Sequence, residues 1–102
     1  MRAFNAGDYF LAHETLEEYW VEAPKQDRNF LQGLIHLAVG CLHRERQNST
    51  GAELQFGKAL TRLANYPAEY EGVDLEKVRS FLSDARASLA GDSPPPDPPR
   101  LP

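Results

Sequence analysis

Apolar residues in this chain recur at helical spacing, and the longest such run is Phe30 to His43, FLQGLIHLAVGCLH. At about 100° per residue, Phe30, Leu34, Leu37, Ala38 and Cys41 share one side, with Leu31, Ile35 and Leu42 beside them. Gln32, His36 and His43 gather in a stripe about 40° wide on the other side. A helix that is apolar around most of its girth is a buried central helix. Its polar stripe is therefore expected to meet a polar group on another helix.

Glycine and proline punctuation divides the chain into four helical segments with no β-pattern. A first helix is predicted from about Tyr9 to Val21, with Asp8 as N-cap and Pro24 closing it. The central helix covers about residues 28–47, with Asp27 available as its cap. A third runs from about Gly51 to Asn65, where Thr50 and Glu53 have the spacing of a capping box. Its face is Ala52, Phe56, Ala59, Leu60 and Leu63. A fourth starts at Asp74 and carries Leu75, Val78, Leu82, Ala85 and Leu89, with Val73 and Val78 spaced as a hydrophobic staple and Gly91 as a stop. The pattern predicts an all-α, compact four-helix domain over residues 1–90, built from two antiparallel helical hairpins. Tyr66 and Tyr70, around Pro67, are expected to close one end. Leu11, Leu54 and Phe81 fall off the main stripes, which points to a homodimer.

Composition changes this picture at one end. Five of the six residues from Pro94 to Pro99 are proline, which cannot continue a helix, so residues 91–102 read as an extended or disordered Pro-rich tail. The net charge of −4 is spread along the chain and offers no basic patch, so no nucleic-acid partner is expected. The apolar core segment is too short and too polar for a membrane span, so no membrane is expected either. The first residues show no secretory signal. A single cysteine, Cys41, excludes an intramolecular disulfide and a Cys-rich zinc site. The expected setting is cytoplasmic.

Candidate chemistry concentrates on the first helix. Tyr9, Ala12, Leu16 and Trp20 mark its buried side, and His13 and Glu17, four apart, point into the same arc, with Glu14 at its rim. A carboxylate on a buried face needs a partner or a metal. Three readings follow. His13 and Glu17 can be a structural network satisfied by Gln32, His36 or His43 across the helix interface, fixing helix register. They can instead be metal ligands, with His36 or His43 as the third, an N/O set that suits divalent Zn, Mn or Fe. The third reading is a groove for a partner helix or small ligand, lined by Phe4, Tyr9, Tyr19, Trp20 and Phe30. Gly33 and Gly40 edge the polar stripe, either for close helix packing or as room beside the histidines.

The residues from Phe4 to Trp20, F-N-x-G-x-Y-x-x-A-H-E-x-L-E-x-x-W, resemble the opening of domain-of-unknown-function family 309. That family is marked by H-x-x-x-E-x-x-W/Y, matched by His13, Glu17 and Trp20. The run F-L-Q-G-L-I-x-L-A-V from Phe30, a histidine near the helix end, and N-x-x-G-A from Asn48 to Ala52 resemble it too, so that the likeness spans Phe4 to Gly72. The resemblance implies a small all-helical protein and no particular reaction. The candidate set is thus His13, Glu14 and Glu17 for catalysis, Tyr9, Trp20, Gln32 and Asn48 for binding, and His13, Glu17, His36 and His43 for a metal. An interaction or small-ligand module with an unknown protein or small-molecule partner is expected. The alternative is a metal-dependent hydrolase, in which a metal-bound water is activated beside Glu14.

Overall fold

Asp8 accepts the Leu11 amide at 3.1 Å and so starts the helix that the sequence places after it. A computed structural model describes residues 1–91 and 94–102 of the chain. It is mostly helical: α1 (Arg2–Asn5), α2 (Tyr9–Glu22), α3 (Lys25–Glu45), α4 (Ser49–Leu63) and α5 (Leu75–Leu89). Two two-residue strands, β1 (Glu69–Tyr70) and β2 (Val73–Asp74), stand between α4 and α5.

Several boundaries differ from expectation for local reasons. The central helix begins at Lys25, because Pro24 takes the N-cap position and its fixed φ suits a helix start. Asp27 is therefore inside the first turn, and its side chain serves another purpose. Asn48 caps α4 by accepting from the Gly51 amide at 3.0 Å, so the Thr50–Glu53 capping box is not used. The short helix α1 and the hairpin were not visible as periodic patterns, being only four and two residues per element. The hairpin has Glu69 opposite Asp74 and Tyr70 opposite Val73. Its turn places Glu71 at φ 50° and Gly72 at φ 80°, the left-handed pair that a two-residue hairpin turn demands. Asp74 then caps α5 by accepting from the Lys77 amide at 3.1 Å.

The core is one cluster with α3 at its centre. Leu34, Leu37, Ala38 and Cys41 from α3 are buried with Ala12 and Leu16 of α2, Ala52, Phe56, Ala59 and Leu63 of α4, and Val78, Leu82 and Ala85 of α5. Helix α3 packs most extensively on α4 and next on α2, while α5 packs on α4. Phe81 is buried, edge-on to Phe56 at 5.7 Å, so within the chain it has a partner of its own. Leu11 and Leu54 remain exposed.

Gly33 and Gly40 are packing residues. A Cβ on Gly33 would stand 2.5 Å from the Leu63 side chain, and one on Gly40 would stand 2.5 Å from the Phe56 ring. The space beside them is filled by α4 and gives no room for a ligand. Tyr66 and Tyr70 do close one end, stacked edge-on at 4.7 Å and packed on Phe30. The Tyr66 hydroxyl accepts from the Phe30 amide at 2.9 Å and donates to the Gln26 carbonyl at 2.7 Å.

Of the two forms expected of the proline-rich end, extended or disordered, the described residues 94–102 show an extended segment held against the protein. Residues 94–102 carry no helix or strand, yet Leu101 is buried to 5% exposure. Proline explains the lack of regular hydrogen bonding; a buried leucine and side-chain contacts from distant residues explain the order. Among the described residues, no helix is long and apolar enough to cross a membrane.

Candidate functional site

On α2, His13 Nε2 lies 3.0 Å from Glu17 Oε1, the pair that four-residue spacing brings together. Their surroundings differ from the expected buried arc: the Glu17 side chain is 55% exposed and that of His13 24%. Glu14 is exposed as well. His13 Nδ1 is buried without a hydrogen-bond partner among the described residues. Glu17 therefore needs no compensating ligand, since water solvates it.

The polar stripe of α3 turns toward α4, not toward α2. His36 Nδ1 donates to Gln55 Oε1 at 2.7 Å. His43 Nδ1 accepts from Asn48 Nδ2 at 3.3 Å, and its ring lies against Gly51. Gln32 and His36 line an open polar groove of about 950 Å³ together with Gly57, Lys58, Thr61 and Arg62. The cause lies in the glycines. Gly33 and Gly40 let α4 approach α3 closely along the edge next to the stripe, so the stripe falls at the α3–α4 rim. Among the described residues, no group of three or more His, Cys, Asp or Glu side chains is placed to hold a metal ion. The expected ligand set His13, Glu17, His36 and His43 is thus divided between separate contacts.

Charge and burial tune several groups here. Burial, reinforced by Lys58 and Arg62, lowers the His36 pKa below its ordinary value, against the opposing hydrogen bond to Gln55. Burial pushes the Cys41 thiol up to about 12, which keeps it protonated and unreactive. At the hairpin, the Tyr70 hydroxyl donates to Asp27 Oδ1 at 2.5 Å. That bond, followed by desolvation, raises the Tyr70 pKa to about 12. Asp27 is the one buried charged side chain among the described residues, and this bond is its compensation. The nearby Glu71 carboxyl is raised by desolvation and by Asp27.

Of the expected binding residues, Trp20 carries the Arg28 guanidinium 4.1 Å above its ring, and Arg28 also donates to the Trp20 carbonyl at 3.2 Å. Tyr9 packs edge-on to Phe4 at 5.3 Å. Burial raises its pKa. Asn48 is a helix cap, and Gln32 lies in the polar groove.

The most completely built contact involves two residues outside the expected set. Asn5 Nδ2 donates to the Leu101 carbonyl at 2.7 Å, and Asn5 Oδ1 accepts the Leu101 amide at 2.8 Å. One side-chain amide thus takes both backbone groups of one extended residue. Beside Leu101 a cleft of about 230 Å³ remains, lined by Leu16, Tyr19, Phe30, Leu31, Leu34 and Val73. Farther along, Arg44 donates to the Pro96 carbonyl at 2.9 Å while its guanidinium lies over Phe81. Phe30 and Tyr19 of this cleft belong to the expected aromatic set. Asn5 and Leu101 do not: Asn5 enters the sequence pattern only as the second residue of F-N-x-G, and Leu101 only as a lone aliphatic residue set beside prolines.

Residues 1–54 match the family described as "Domain of unknown function (DUF309)". An uncharacterized protein of Aquifex aeolicus (strain VF5) is 32% identical over 96 residues, which are 91% of this chain and 28% of that protein. The uncharacterized protein YpuF of Bacillus subtilis (strain 168) is 41% identical over 68 residues, which are 66% of this chain and 37% of YpuF. The chain spans about a third of the length of these curated relatives.

Proposed function

Since the chain belongs to the DUF309 family, whose description carries no activity, we propose from its geometry that it is a protein-interaction module. Its docking site is the groove bounded by α1, α2 and α3, which takes an extended segment anchored by an apolar side chain. One observation carries this reading: Leu101 is buried while Asn5 holds both its amide and its carbonyl. A side chain that satisfies a backbone N–H and C=O at once recognises peptide as such, and the apolar cleft selects the side chain, the division of labour usual for extended ligands. The metal-dependent hydrolase gains no support from a divided ligand set. A cytoplasmic setting fits the single buried thiol.

The test vacates the groove in the full chain by Leu101→Asp, since a charge is costly in an apolar cleft. A synthetic peptide of residues 94–102 is then titrated into the isotope-labelled variant and followed by NMR, which reads weak binding. Saturable shifts at the Asn5 side-chain amide and at Leu31 and Leu34 are expected. A folded variant whose spectrum does not respond to the peptide sinks the reading.

A further inference from the structure

The segment at the groove is more specific than one leucine. We propose that the groove reads the left-handed polyproline helix, that its ligand class is a proline-rich segment of another polypeptide, and that residues 94–102 act as an intramolecular competitor for it. This rests on the interaction reading above and narrows its ligand.

Three observations converge. The first is exposure: Pro94, Pro95, Asp97, Arg100 and Pro102 are exposed, Pro96, Pro98 and Pro99 are half-buried and Leu101 is buried. Along the contacting stretch from Pro96 to Leu101, the two exposed residues, Asp97 and Arg100, are three apart. That is the spacing of a helix with three residues per turn, which is the polyproline period.

The second is the pattern of hydrogen bonds. Proline has no N–H, so a proline-rich ligand offers its receptor carbonyls and few donors. The groove answers in kind, with the Arg44 guanidinium on the Pro96 carbonyl and the Asn5 amide on the Leu101 carbonyl. Among positions 96, 98, 99 and 101, which face the protein, only Leu101 has a backbone N–H. That N–H is the one met by an acceptor, Asn5 Oδ1.

The third is length. At about 3.1 Å per residue, Pro96 to Leu101 covers about 16 Å. On α3, Arg44 binds one end of the segment and Leu34 lines the cleft at the other, a separation of about 15 Å at 1.5 Å per residue. A stiff polyproline ligand thus fits end to end between its two anchoring points. A ligand already fixed in its bound shape loses little freedom on docking, which suits a shallow groove.

The experiment compares two peptides on the full-chain Leu101→Asp variant by NMR titration: residues 94–102 as they stand, and the same peptide with Pro98 and Pro99 replaced by alanine. Each proline replacement adds conformational freedom to the free peptide, so the alanine peptide is expected to bind about fivefold or more weakly. The unsubstituted chain is expected to bind the native peptide at least about tenfold more weakly than the Leu101→Asp chain, because its groove is filled. Equal affinity for the two peptides overturns polyproline reading and leaves the interaction module standing. Equal affinity of the two chains for the native peptide overturns the competitor role. Binding of neither peptide to the folded variant removes the interaction reading itself. Should Leu101→Asp fail to fold, Leu101→Ala serves in its place, since it empties the cleft without a buried charge and leaves Asn5 and Arg44 unchanged; the same three outcomes decide.

Discussion

The Phe56 ring occupies the place where a side chain on Gly40 would begin, 2.5 Å from the position of its Cβ. Leu63 does the same to Gly33, so residues seven apart on α4 fill gaps seven apart on α3. Alanine at Gly40 would gain about 1 kcal/mol of helix propensity but must displace a buried aromatic ring. Overpacking of this kind costs about 1–3 kcal/mol. Gly40→Ala is therefore expected to be less stable than the parent in urea unfolding. A higher midpoint would show that α4 can slide without loss.

Glu71 presents the opposite case. It is a non-glycine residue at φ 50°, a conformation that costs a typical L residue about 1 kcal/mol, and its carboxyl lies beside Asp27. Asparagine tolerates this backbone and carries no charge. Glu71→Asn should raise the unfolding midpoint at neutral pH, with the larger share of the gain from the backbone. The same substitution should change the Asp27–Tyr70 pairing little, as read from the Tyr70 signals by NMR.

The pH dependence of stability follows from His36. Its folded pKa lies below the ordinary value of 6.5, so the unfolded chain binds the proton more readily than the folded one. Stability from the neutral imidazole is then fully present above about pH 6.5 and is lost as pH falls toward the folded pKa. Urea midpoints measured between pH 8 and pH 5 should decline over that lower interval. In His36→Gln the His36 share of the decline should vanish; an unchanged slope would assign it to other groups.

For His13 and Glu17 the expected effect is small. A pair four apart on a helix, with one partner mostly in water, contributes about 0.3–0.5 kcal/mol. Glu17→Gln should lower stability by no more than this, whereas a sealed network would lose several times as much on the same substitution. Thermal or chemical unfolding distinguishes the two directly.

Much of this arrangement is legible in the sequence, and the misreadings share a cause. The long helices show in the spacing of Leu34, Leu37 and Cys41, or of Leu75, Val78 and Leu82, and the caps Asp8 and Asp74 show as short polar residues just ahead of apolar runs. A helical wheel gives the direction of a side chain but not which neighbour covers it. It thus placed Glu17 on a buried arc, whereas its side chain is 55% exposed. It also set the Gln32–His36–His43 stripe against His13 and Glu17 of α2, whereas the stripe turns toward α4. Gly33 and Gly40 contained the answer, because glycines next to the stripe mark the side of closest approach. The hairpin was hidden by its brevity, although Glu71-Gly72 between short β-compatible pairs was a usable turn signal. Composition alone leaves the proline segment extended or disordered, with no contact assigned to it. Nothing local in a run of prolines reveals an asparagine near the other end of the chain.

That last separation has a kinetic consequence. Asn5 and Leu101 are 96 positions apart, whereas the helix pairs that build the core are neighbours in the chain and close short loops. Contacts between near neighbours form early, and those joining distant positions wait for the entropy of closing the intervening loop to be offset. The helical core should therefore collapse first, with the proline segment docking as a late, separable event. On unfolding the order reverses, and the clasp at Asn5 opens while α2, α3 and α4 still hold together. In native-state hydrogen exchange, the Leu101 amide should exchange through local opening, well ahead of the amides of α3.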